Sequence, residues 1–165
     1  PWLLFLMLSA TVTQMIMNSY EAALAVMPQL AGFIPMLTGT GGNCGSQSST
    51  LVIRGLAIGE IEFRDLLKVI WKEVRIAVCI SIILAVVNGA RIVIMGQGDA
   101  MMALTIGVTM ACTVIIAKVV GCTLPLVAKK VGLDPAIMAT PLISTLVDIS
   151  TISVYFAIVS FVFHL

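Results

Sequence analysis

The chain predicts an all-α integral membrane fold of five transmembrane helices, with one amphipathic helix lying alongside. Three observations carry this. Hydrophobic residues make up 60% of the sequence and charged residues only 10%, with a mean hydropathy of +1.15. Clusters of charge and turn residues cut the chain into apolar segments near the roughly 20 residues that a bilayer crossing needs. A third stretch alternates charged and apolar residues at helical spacing. The 165 residues suffice for one domain of ordinary size, so 1–165 reads as a single transmembrane domain. Because the chain starts at Pro1 and is apolar by Trp2, a soluble N-terminal region is expected ahead of it in a longer protein. Trp2 to Met17 lacks a basic n-region and is followed by further spans, which fits a cleaved signal peptide poorly.

The expected spans are about 2–18, 24–53, 76–95, 100–127 and 136–163. Asn18 to Glu21 separates the first pair, Gly96 to Asp99 the third and fourth, and Lys129 to Pro135 the last two. The second span is long and interrupted. It holds Pro28 and Pro35, then the run Thr38 to Ser49, with four glycines (Gly39, Gly41, Gly42 and Gly45) among seven positions. Thirty helical residues would reach roughly 45 Å, beyond a hydrocarbon core of about 30 Å. The span must therefore bend, tilt, unwind or protrude. Proline removes a backbone donor and glycine weakens helix preference, so free carbonyls are expected there. Gly41, Gly45 and Ser49 also satisfy a small-xxx-small pattern that lets helices approach closely. Packing alone is one reading; packing plus a lining role for Asn43, Gln47 and Ser48 is favoured by the density of polar groups.

Gly59 to Arg75 carries Phe63, Leu66, Leu67, Ile70, Trp71 and Val74 at three- and four-residue spacing, the pattern of an amphipathic interfacial helix. It would anchor the bundle in the headgroups or serve as a docking lever. Arg54, Arg64, Lys68, Lys72, Arg75, Lys129 and Lys130 fall on one side of the five-span arrangement, and only Arg91 on the other. The positive-inside rule then places the N-terminus in the cytoplasm and the C-terminus outside, in a plasma membrane.

Asp148 is the one formally charged side chain between Ala136 and Leu165. A carboxylate at bilayer depth costs about 2.5 kcal/mol even on lenient scales, so it is expected to face water or a partner. Pro141, Ser144 or Thr145, Asp148 and Thr151 or Ile152 recur on one helical face, which reads as part of an ion path. Lys118 is a second charge within a span. Its depth, counted from Lys129, matches that of Asp148, counted from Pro135, to within about 3 Å at 1.5 Å per residue. A buried Lys118–Asp148 pair is thus one possibility, a direct effect of Lys118 on conduction is another, and a Lys118 that snorkels or bonds neighbouring carbonyls outside the ion path is the favoured one.

Cys44, Cys79, Cys112 and Cys122 form no CxxC pair and have no neighbouring His, so they read as small buried hydrophobes. His164 carries no evident chemistry. Ten methionines are too scattered for soft-metal transport. No hydrolytic, nucleotide-binding or redox constellation is present, and no enzyme or nucleic-acid role is expected.

The stretch Gly32 to Gln47 with its Gly41-Gly42-Asn43-Cys44-Gly45-Ser46-Gln47, the Arg54-Gly55-Leu56-Ala57 that follows, Leu133-Asp134-Pro135-Ala136, and Pro141 to Asp148 together resemble the membrane domain of MgtE-type magnesium channels. The resemblance runs through all five spans. It implies a homodimer with a pore on the two-fold axis, lined by the second and fifth spans, and magnesium-sensing soluble domains ahead of the membrane part. It further implies Mg2+ as the transported ion, with Asp148 facing it, Ser144 contributing a carbonyl, and Gly39 to Asn43 forming a constriction nearer the cytoplasm. Thr140 matches a polar gate-side position, and an N-cap-like role beside Pro141 is its alternative. Lys118 departs from the family pattern, which is uncharged there.

The metal-facing set expected from residues and resemblance together is Asp148, Ser144, Thr145, Gly39, Gly42 and Asn43. Magnesium dehydrates reluctantly and is usually held by one or two carboxylates through retained water. One Asp per chain is too little, whereas two across a dimer axis suffice and favour a divalent over a monovalent cation. The competing reading is a carrier that couples a divalent cation to Na+ or H+, for which the chain offers only Asp148 and Lys118 as ionisable groups within its spans. A membrane scaffold or receptor module would leave the intramembrane carboxylate without a purpose.

Overall fold

A computed structural model describes residues 2–164, with the side chains of residues 2, 5 and 137–140 outside the description. The described residues form helices and turns only. Helix α1 spans Trp2–Ser19, α2 Glu21–Val26, α3 Gln29–Ala57, α4 Leu66–Ile94, α5 Ala100–Lys130 and α6 Pro135–Phe163, and a 3-10 turn, Phe63–Asp65, precedes α4. Among the described residues, three helical stretches are long and apolar enough to cross a membrane: Phe63–Ile94, Ala100–Lys130 and Pro141–Phe163.

The helix ends follow local chemistry. Asp99 caps α5 by accepting a hydrogen bond from the Met102 amide at 2.8 Å, and Asp134 accepts from the Ala136 amide at 2.8 Å while Pro135 starts α6. At the other ends Gly96 and Gly132 take positive φ values of 61° and 79°. There the Gln97 amide donates to the Ile92 carbonyl and the Leu133 amide to the Ala128 carbonyl, closing the last turns of α4 and α5. These turns lie where the sequence places its third-to-fourth and fourth-to-fifth connections.

The interruption expected in the second span falls at Met27 and Pro28, between α2 and α3. From Gln29 the helix is continuous through Pro35 and the entire glycine run to Ala57, which corrects the expectation of unwound backbone. Neighbouring helices replace what propensity lacks. A Cβ on Gly41 would meet Val147 Cγ1 of α6 at 2.7 Å and Thr113 Cγ2 of α5 at 2.8 Å, so the bare backbone is itself the packing surface. Gly45 lies directly against Gly121 of α5, whose would-be Cβ would collide with the Gly45 carbonyl oxygen. The small-xxx-small stripe thus joins α3 to α5 and α6.

A second correction concerns Gly59 to Arg75. From Leu66 onward this stretch is the first part of α4 and not a separate interfacial helix. Its expected apolar face divides. Leu66, Val69 and Ile70 pack against Val52, Leu56, Cys122 and Leu126, whereas Leu67 and Trp71 point outward. The inward row continues through Glu73, Ala77, Ser81, Asn88 and Ile92, all buried. Small and polar residues at that spacing face α5 and escape a search for apolar periodicity.

α5 is the hub, packing against α3, α4 and α6 through buried Ile106, Val114, Ala117, Cys122 and Leu126. α1 packs along α6. Where α3 ends and α4 begins, Lys129 donates to the Leu56 carbonyl at 2.9 Å and Lys130 lies 4.0 Å from the centre of the Phe63 ring. Arg91 instead donates to Asn88 Oδ1 at 3.1 Å and to Met36 Sδ at 3.4 Å. Cys44 and Cys122 are buried and free, in keeping with a packing role, whereas Cys79 is exposed and Cys112 half-buried, which corrects the reading of all four as buried.

Candidate ion-path site

Asp148 occupies the middle of α6, one turn after Ser144, so the two share a face. With Thr145 they line a cavity of about 190 Å³, closed on its other side by Leu6, Ser9, Ala10 and Thr13 of α1. The Thr145 hydroxyl donates to Ser9 Oγ at 3.2 Å, and the Ser9 hydroxyl donates to the Leu6 carbonyl at 2.8 Å. This chain of hydroxyls fixes α1 against α6 beside the carboxylate. Asp148 itself, half-buried, makes no hydrogen bond or ion pair among the described residues. The cavity has room for several waters at about 30 Å³ each. The three α6 residues expected to act together therefore do lie together. α1 supplies the rest of their surroundings, which sequence reasoning missed.

The α3 residues of the expected set lie elsewhere. Gly39 and Asn43 are exposed and Gly42 is half-buried, with open space where a Cβ would project from Gly39 or Gly42. Asn43, Ser46, Gln47, Thr50 and Leu51 border an open groove of about 610 Å³. The Thr50 hydroxyl is returned to the Ser46 carbonyl at 2.9 Å, but Asn43 and Gln47 have no side-chain partner among the described residues. α3 is thus two-faced: Gly41, Gly45, Ser48 and Ser49 pack inward, and the amides of Asn43 and Gln47 face out. The seam between α3 and α6 runs through Gly41 and Gly45 against Val147 and Ile143, and a single chain does not bring Asn43 into the Asp148 cavity. The Thr140 side chain lies outside the described residues.

Lys118 is buried, 4% exposed, and bonds neither lipid-facing carbonyls nor Asp148. Its ammonium meets Glu73 Oε2 at 3.1 Å, and the Ser48 hydroxyl donates to the same oxygen at 2.8 Å. This corrects the expected pairing with Asp148 and the snorkelling of Lys118, and leaves Asp148 free of a structural lysine. Glu73 was passed over because it sat in a stretch read as interfacial. The usable signal was that Glu73 and Ala77 lie one turn apart on the same stripe as Ser81. Among the described residues, no group of three or more His, Cys, Asp or Glu side chains gathers to hold a metal ion.

A family model described as "MgtE: Divalent cation transporter" matches residues 34–158. The protein named magnesium transporter MgtE from Thermus thermophilus is 33% identical over 157 residues, which cover 95% of this chain and 34% of that protein. Its namesake from Bacillus subtilis is 34% identical over 164 residues, covering 99% of this chain and 36% of that protein. The corresponding figures for Enterococcus faecalis are 31% over 163 residues, 97% and 35%. The chain thus spans about a third of the length of these relatives, and nearly the whole of it is matched. On these matches, the chain belongs to the MgtE family of divalent cation transporters.

Proposed function

We propose that this chain is the membrane-embedded conducting unit of a magnesium-selective channel, whose pore forms where two copies meet on a two-fold axis. Five helices, α1, α3, α4, α5 and α6, cross the membrane, with α2 a short lead-in to α3. The observation that carries the reading is the outward row Gly39, Asn43, Gln47 and Thr50 on a helix whose other face is packed into the bundle. Unpartnered amides cannot face hydrocarbon cheaply, so water or a second copy must cover them. A pore at a dimer axis supplies both.

Asp148 then acts as the shared carboxylate. Two copies bring two carboxylates near one axis, where they repel each other until a divalent cation lies between them. Such a site holds hydrated Mg2+ through its water and discriminates against single charges. Ser144 and Thr145 orient that water, and Gly39, Gly42 and Asn43 line the narrower part. The N-terminus lies in the cytoplasm and the C-terminus outside, because the basic residues gather where α3 and α5 end. The relatives are about three times as long as this chain, which leaves room for soluble domains beside the membrane unit in the full-length protein.

A carrier coupled to Na+ or H+ gains one specific observation: Glu73 is a further buried ionisable group, and it lines a cavity at the basic end of the bundle. Its pairing with Lys118 argues against a coupling role, since the lysine already neutralises it. Magnesium influx into liposomes, read by an entrapped indicator, separates the two. Asp148→Asn should lower influx roughly 10- to 150-fold, the equivalent of a charge-assisted contact of about 1.5–3 kcal/mol. The double variant Glu73→Leu/Lys118→Met should conduct normally for a channel and fail for a carrier that uses Glu73. Normal influx in a folded, dimeric Asp148→Asn would refute the pore assignment.

A further inference from the structure

A cavity of about 320 Å³ opens where α3 ends and α4 begins, and nothing in the ion path uses it. Leu51, Val52, Gly55, Ile58, Ile61 and Val69 give it apolar walls, and Arg54 and Lys72 border it with their charges. Among the described residues neither cation has a hydrogen-bond or ion-pair partner, unlike nearby Arg64 on Glu62, Lys68 on Asp65, and Lys129 on the Leu56 carbonyl. Of the two carboxylates in the lining, Glu73 is neutralised by Lys118, leaving Glu60 against two cations.

We infer that this cavity binds an anionic phospholipid, with the phosphate held between Arg54 and Lys72 and an acyl chain lying along Leu51 and Val52. The depth fits. Arg54 is three residues before the end of α3 and Lys72 six residues into α4, about 5 and 9 Å along their helices. Trp71, 64% exposed beside Lys72, has the character of an interface residue. The apolar walls select a lipid over free phosphate, which would leave them wet. A basic pocket between helices at the membrane surface is the usual site of headgroup recognition.

Brominated lipids test this through tryptophan quenching, because Trp2→Phe leaves Trp71 as the single tryptophan. In mixed vesicles, brominated phosphatidylglycerol should quench Trp71 with an apparent affinity about 5- to 30-fold above that of brominated phosphatidylcholine, at roughly fivefold per basic residue. Arg54→Gln/Lys72→Gln should abolish the preference. Arg54→Lys/Lys72→Arg, which keeps both charges, should retain it, as should Lys68→Gln, outside the cavity. Equal quenching by the two lipids in the parent, or a preference that survives the double glutamine variant, overturns the assignment and leaves the cavity to water or to a protein segment.

Discussion

Lys118→Met should destabilise the bundle far more than its conservative volume change implies, because it strands a carboxylate. Glu73 and Lys118 are 4% exposed each and 3.1 Å apart, among α3, α4 and α5. At an effective dielectric of 20, their attraction is about 5 kcal/mol at that distance, and desolvation of the two ions offsets most of it. The intact pair is therefore close to neutral relative to an apolar pair of similar size. Removing the lysine leaves Glu73 with only the Ser48 hydroxyl, at a cost of about 3–5 kcal/mol. The double variant Glu73→Leu/Lys118→Met should return to within about 1 kcal/mol of the parent, since no buried charge remains. Denaturation of the purified chain in mixed micelles, followed by circular dichroism, measures each corner of this cycle. A Lys118→Met that unfolds with the parent, or a double variant as unstable as the single one, would show that the pair is solvated and the burial argument wrong.

The helix contacts make two further claims testable. Gly121→Ala places a methyl group against the Gly45 carbonyl, where only backbone can yield, and should cost about 1–3 kcal/mol by overpacking; the same denaturation assay reads it, with Gly89→Ala, which meets open space, as the neutral control. In a cysteine-free background, Asn43→Cys should react with a membrane-impermeant thiol reagent and cross-link two copies on oxidation, whereas Val86→Cys, 68% exposed on α4, should do neither. Equal inertness of the two cysteines would remove the case for water on the outer face of α3.

Much was legible from one dimension. Membrane residence follows from composition, because the hydrophobic content of a segment needs no knowledge of its neighbours. The turns at Gly96 and Gly132 follow from backbone sterics local to each residue. Asp148 stood out for the same kind of reason: a charge inside an apolar run is conspicuous wherever the helix packs. Its spacing from Ser144 is likewise a property of one helix.

Partnership between helices was not legible, because it depends on which faces meet. Lys118 and Asp148 matched in depth, yet depth leaves rotation about the helix axis open, and α5 turns Lys118 toward α4, where Glu73 lies 45 positions away in sequence. The glycines of α3 read as a break because intrinsic propensity was the visible term. Packing against Thr113, Gly121 and Val147 outweighs it, and a helix without side chains is what permits such close approach. The sequence by itself determined the medium, the turns at Gly96 and Gly132 and the lone carboxylate of α6, all set by local composition and spacing. Only the tertiary structure decided that α1 walls the Asp148 cavity, that Glu73 neutralises Lys118, and that the amides of α3 face outward, since each depends on the relative rotation of helices distant along the chain.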